Sequence, residues 1–142
     1  MTTQTLWKIS LLLASFLPAS AQLRHPILPI GSPAPNFSRP GVDGKTHSLA
    51  DYASSPVLAI VFTCNHCPIA QVYEQRIQQL ANDYKGEGVA LVAIQPNDPK
   101  ALRIDELDSS DMGDTLPEMK QRVDYKHLTY TYLYDEIGRA HV

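Results

Sequence analysis

Cysteine is scarce in this chain. Of 142 residues only two are cysteines, and they stand at positions 64 and 67. A framework of several disulfides, of the kind that holds small exported domains together, is therefore excluded. No second Cys/His pair at zinc spacing follows, which argues against a closed tetrahedral zinc site. Haem attachment is excluded because Pro68, not His, follows the second cysteine. Basic clusters are absent and the formal net charge is −3, so nothing points to a nucleic-acid partner. The apolar run Ile9-Ser-Leu-Leu-Leu-Ala-Ser-Phe-Leu17 is too short for a comfortable membrane span.

Both cysteines lie in Thr63-Cys64-Asn65-His66-Cys67-Pro68. The continuous apolar run Val57-Leu-Ala-Ile-Val-Phe62 leads in, which fits a buried strand covered on both faces. From Ile69 to Lys85, apolar residues at Ile69, Val72, Tyr73, Ile77, Leu80 and Tyr84 repeat at helical spacing. Two thiols in Cys-x-x-Cys at a strand-to-helix junction read as a redox site. A structural disulfide would close too short a loop to constrain much chain. The partial positive charge of a helix N-terminus is expected to favour the Cys64 thiolate, with His66, if protonated, adding to it. Cys67, expected about one turn into the helix, is the natural resolving thiol.

The first 21 residues read as a secretory signal peptide. Lys8 precedes the apolar run, and Ala19-Ser-Ala21 fits a small-residue cleavage site. The mature chain is then expected to be exported, periplasmic or secreted, with no stable membrane span after cleavage. Pro26, Pro29, Pro33, Pro35 and Pro40 forbid a regular helix in the segment that follows. Gly41-Val-Asp-Gly44 signals a turn, Lys45–His47 a short strand, and Ser48 a cap for a turn over Leu49–Tyr52. Val89-Ala-Leu-Val-Ala-Ile94 predicts a second buried strand, which makes a right-handed βαβ unit with the first. Pro96 to Gly113 reads as an acidic, solvated loop. Asp114 or Thr115 can cap a helix with Pro117 in its first turn that runs to about Lys126, and Tyr130–Tyr134 has strand composition. His25, His47 and His127 have no partner motif and are expected to be ordinary packing or surface residues. Tyr84, Tyr125, Tyr130, Tyr132 and Tyr134 are expected to serve core and edge packing.

Gly31-Ser-Pro-Ala-Pro-Asn-Phe37, Gly41-Val-Asp-Gly-Lys45 with Ser48-Leu49, Val61-Phe-Thr-Cys-Asn-His-Cys-Pro68, Ile94-Gln-Pro-Asn-Asp98 and Thr131-Tyr-Leu-Tyr-Asp135 together carry a resemblance. Over about residues 28–136 the chain resembles the thioredoxin-like superfamily, in its peroxiredoxin-like AhpC/TSA (redoxin) branch. The resemblance implies an α/β fold with a central mixed β-sheet flanked by helices. It also implies dithiol–disulfide exchange without a cofactor or metal, with Cys64 attacking, Cys67 resolving and His66 in the place where disulfide isomerases have histidine. Substrates would be protein or small-molecule thiols and disulfides, with an unidentified reductant or oxidant as partner. A couple less reducing than thioredoxin, whose potential is about −270 mV, is expected from His66.

The chain departs from the branch in two places. Cys64 occupies the position where peroxiredoxins carry threonine before Cys-Pro, and Ile69-Ala70 replace Thr-Glu. No proline follows Pro117, so the family's cis-proline loop, C-terminal hairpin and last helix are expected to be missing. Ile137-Gly-Arg-Ala-His-Val142 resembles the translation of a sequencing adapter. The expected organisation is thus a signal peptide over 1–21, an incomplete redoxin domain over 22–136 and a non-native tail over 137–142. Expressed alone, such a fragment is expected to be marginally folded or to aggregate. Three functions compete: an exported thiol–disulfide oxidoreductase, a thiol peroxidase with Cys67 peroxidatic, and a non-enzymatic Cu(I) chaperone using Cys64, Cys67 and His66.

Overall fold

In a computed structural model of the protein, residues 27–107, 110 and 112–135 are described. The signal-peptide and tail readings lie outside them. Ile27 to Ile30 are exposed and irregular, and belong to a unit that ends at Ile30.

The second unit starts at Gly31. Strands β1 (Ser38–Pro40) and β2 (Thr46–Ser48) pair antiparallel, with Arg39 opposite His47. Gly44, at φ +78°, makes the turn between them, a left-handed conformation that glycine adopts without a Cβ penalty. A 3-10 turn over Leu49–Tyr52 follows, and the Ser48 N–H donates to Asp51 as the capping box requires.

The main sheet has the order β3 (Val57–Phe62), β4 (Val89–Gln95), β5 (Thr131–Tyr134), all parallel. An antiparallel bridge between Gly41 and Leu133 ties the hairpin to β5. Helix α1 (Pro68–Tyr84) connects β3 to β4. The stretch expected as pure loop holds one short helix, α2 (Ile104–Leu107), before α3 (Leu116–Lys126). The α3 boundaries follow from local chemistry: Thr115 caps, Glu118 closes the capping box, Pro117 sits in the first turn and His127 ends the helix in a left-handed conformation at φ 53°.

Two apolar layers sandwich β4. Phe37, Val92, Ile94 and Leu133 form one, under the hairpin and the 3-10 turn. Leu91, Ala93, Met119, Tyr130 and Tyr132 form the other, covered by Ile77 and Ala81 of α1 and Val123 of α3. β4 is the buried central strand, as its unbroken apolar run predicts.

β3 differs from its expectation. It lies at the sheet edge, with β4 as its one strand neighbour among the described residues, and Val57 and Ile60 are exposed. The apolar stripe of α1 is likewise open at Ile69, Val72, Tyr73, Leu80 and Tyr84. Helical spacing gathered these side chains on one side, but only the Ile77 and Ala81 side meets the sheet. Tyr125 is also exposed, so Tyr84 and Tyr125 are surface residues and not core packing. Leu91, by contrast, keeps its cover. Unpaired strand edges invite association. Sedimentation of this chain at rising concentration is expected to show self-association, which Val57→Lys should reduce. A monomer at all concentrations would show that the open edge is protected.

Candidate dithiol site

The two cysteines sit in the loop between the end of β3 and the start of α1, half-buried and both as free thiols. Cys67 is the N-cap of α1, with Pro68 at the first helical position. Its C=O accepts the first helical hydrogen bond, from Gln71 N–H at 3.0 Å. The expectation that Cys67 lies one turn inside the helix is therefore corrected: the helix begins one residue after it. Pro68 can start a helix because a first-turn N–H has no intrahelical partner.

The same shift corrects the view of Cys64, which lies four residues ahead of the helix. Partial burial is the main reason its thiol is pushed up to about 11, and the carboxylate of Asp114 adds to it. Hydrogen bonds to its sulfur from the Cys67 N–H and the Asn97 side chain only partly offset this. The site holds Cys64 as a thiol, not as a preformed thiolate. The expectation of a couple less reducing than thioredoxin rests on a stabilised Cys64 thiolate, which the burial of Cys64 opposes.

The sequence offers Asp114 only as a possible helix cap. It is fully buried beneath the loop. Oδ1 accepts the backbone N–H of Asn65 at 2.7 Å and of His66 at 3.2 Å. Oδ2 accepts from the His66 ring at Nδ1, 2.6 Å away, and from the Asn97 amide at 2.9 Å. The α3 capping box holds this acid in place, since Glu118 accepts the N–H of Gly113 and of Thr115 on either side of it. Burial works against the charge on Glu118, but hydrogen bonds from Thr115 and Gly113 keep its carboxyl below the usual range.

Asn65, the first of the two residues between the cysteines, is also buried. Its amide donates to the Gly113 C=O at 2.7 Å, its backbone C=O accepts the Gln71 side chain at 2.7 Å, and its Oδ1 accepts the Tyr132 hydroxyl at 3.3 Å. Both intervening residues are thus anchors of the loop. His66 lies near Cys64, while His47 pairs with Asp43 in the N-terminal hairpin, away from the dithiol motif in sequence.

Cys64, His66 and Asp114 present atoms within 4.8 Å of one another, a spacing a metal ion could use. The hydrogen bonds speak against that use. Four N–H donors already occupy both Asp114 oxygens, and a cation would have to displace them. Two clefts open on the dithiol. One, of about 450 Å³, is apolar and lined by Phe62, Ile69 and Tyr73. The other, of about 530 Å³, carries Asp98 and Glu106 beside His66.

Residues 30–141 match the AhpC/TSA family. The chain belongs to the AhpC/TSA family. A comparison with curated proteins gives no match. Among solved structures, an uncharacterized conserved protein from Geobacillus kaustophilus is 34% identical over 80% of this chain, with a TM-score of 0.66. A thioredoxin family thiol:disulfide interchange protein from Chlorobium tepidum is 21% identical over 77% of the chain, with a TM-score of 0.54. Peroxidoxin BcpB from Mycobacterium tuberculosis is 17% identical over 78%, with a TM-score of 0.58. The last two establish the fold alone, and it is thioredoxin-like. The matches cover 57%, 65% and 61% of those chains, so this AhpC/TSA chain spans less than two thirds of the length of each. No helix among the described residues is long and apolar enough to cross a membrane.

Proposed function

We propose that this AhpC/TSA chain is an exported thiol–disulfide oxidoreductase that cycles Cys64 and Cys67 between dithiol and disulfide. The observation that carries the reading is the loop itself. Two free thiols share one loop, separated by Asn65 and His66, and the same clefts open on both. Export rests on Lys8, the apolar run after it and Ala19-Ser-Ala21.

Cys64 attacks a substrate disulfide, forming a mixed disulfide and releasing one substrate thiol. Cys67 then attacks the Cys64 sulfur and releases the second. One dithiol is oxidised, one disulfide is reduced, and the two thiol protons pass to the products. Whether a physiological partner drives the cycle forwards or backwards depends on its own potential.

In an insulin-reduction assay, Cys64→Ser is expected to lose activity entirely, while Cys67→Ser should accumulate mixed disulfides visible by mass spectrometry. Full activity in Cys64→Ser would end the proposal. The position of Cys67 supports a second reading. A cysteine at the N-cap position of a helix, with proline next, is the arrangement a Cys67 peroxidase would use. Stopped-flow mixing with hydrogen peroxide separates the two: fast consumption that requires Cys67 supports the peroxidase, and slow, non-saturating consumption supports the oxidoreductase.

A further inference from the structure

This inference rests on the reading of Cys64 as the attacking thiol. A nucleophilic thiol must lose its proton, and nothing at Cys64 favours its thiolate strongly enough to do that unaided. Its thiol is pushed up to about 11, so at pH 7 only roughly one molecule in ten thousand would carry the thiolate. The same carboxylate that opposes the thiolate lies against the ring of His66.

We propose that His66, oriented by Asp114, is the base that takes the Cys64 proton as the sulfur attacks. A ring nitrogen of His66, an oxygen of Asp114 and the Cys64 sulfur all lie within 4.8 Å of one another. Apo sites often hold such pairs at more than hydrogen-bond length until substrate binds. A carboxylate can only accept, so the 2.6 Å contact places the hydrogen on Nδ1, and the ring must bring Nε2, its remaining acceptor, to the Cys64 sulfur as substrate binds. His66 is half-buried and Asp114 fully so, which keeps their interaction from being screened. Charge conservation favours this route. Loss of the proton to solvent would set a thiolate beside a carboxylate. Its transfer to His66 leaves the net charge of the pocket unchanged and pairs the new imidazolium with Asp114.

The step balances. The Cys64 S–H bond breaks and an Nε2–H bond forms. The Cys64 sulfur bonds to one substrate sulfur while the substrate S–S bond breaks. The departing sulfur takes the proton back from Nε2–H and leaves as a thiol, and His66 returns to neutral. Other groups face the pair. Cys67 shares its loop, Asp98 and Glu106 line the open cleft, Glu118 follows Asp114 in the first turn of α3, and Tyr132 rises from β5. The Tyr132 hydroxyl, pushed well above its usual range mainly by burial, stays neutral throughout.

The test is single-turnover reduction of 5,5′-dithiobis(2-nitrobenzoate) between pH 5 and 10, on a Cys67→Ser background that isolates Cys64. With His66 present the rate should reach a plateau well before the Cys64 ionisation. His66→Asn, which keeps a donor for Asp114 but no base, should lose on the order of a hundredfold at pH 7. Its rate should then climb tenfold per pH unit towards the Cys64 ionisation. Asp114→Asn, which reverses the hydrogen on Nδ1, should show the same loss of the plateau. Profiles that superimpose with and without His66, or a loss by one factor at every pH, would overturn the assignment. Iodoacetamide alkylation of Cys64 over the same range separates the two levels of inference. A His66-dependent alkylation profile without any reaction at the disulfide would leave the base in place and remove the oxidoreductase reading.

Discussion

Asp114→Ala is expected to lower the unfolding free energy by about 3–5 kcal/mol. The carboxylate is fully buried and accepts from four donors. Alanine leaves those donors facing an apolar methyl group and a small void. The His66 ring and the Asn97 amide are half-buried, and both can turn towards the open cleft and recover partners there. The backbone N–H of Asn65 cannot, because its residue is pinned by Gly113, Gln71 and Tyr132. Each buried group left unpaired costs about 1–3 kcal/mol, and more where the lost partner was charged. Urea unfolding with an unchanged slope is the measurement, since an unchanged slope confines the effect to stability. Asp114→Asn should cost less than half as much, because its remaining oxygen still accepts the two backbone N–H groups. Equal losses in the two variants would mean that the acid does not clamp the loop.

That clamp was the part of the site least legible in the sequence. The dithiol could be read because the cysteines are adjacent in the chain and the flanking patterns switch from an unbroken apolar run to a helical repeat. The span of β3 and the α3 cap are legible for the same reason, because those signals are local, whereas the edge position of β3 is not. Asp114 makes its contacts with the dithiol loop 48 and 49 residues away. In the sequence it is one of several acids in a stretch that reads as solvated. Its one local signal, a place just before the Thr115 cap, points to a helix start and not to a buried acceptor. Asn65 was hidden in a similar way, because nothing in Cys-x-x-Cys says which intervening side chain turns inward. Periodicity told which side chains of α1 share a face, but what covers a face is a matter of tertiary packing. Ile69 and Val72 therefore lie open although their spacing is that of a core stripe.

Glu74→Ala should destabilise the fold by about 3–5 kcal/mol, the usual result of stranding a buried charge. Arg122 of α3 donates from Nε to Glu74 Oε2 of α1 at 2.6 Å, and both side chains are largely withdrawn from solvent. Removing the carboxylate leaves the guanidinium beside the apolar layer of Met119 and Tyr130 with its nearest anion gone. The exposed Lys120–Asp124 pair, at 3.9 Å, is the internal control. Its loss should change stability by about 0.5 kcal/mol or less, because water screens it. The double variant Glu74→Ala with Arg122→Met removes both charges at once and should recover much of the cost of either change, since apolar residues of similar volume can replace a buried ion pair. A double-mutant cycle in urea gives the coupling directly. The pair matters to the site through geometry. α1 carries the Cys67 cap, α3 fixes Asp114 just ahead of its own cap, and this ion pair ties the two helices together. Loss of stability with an unchanged rate of Cys64 reaction would show that the loop hydrogen bonds hold the site unaided. A coupling energy near zero would show that α1 and α3 are joined by apolar packing alone.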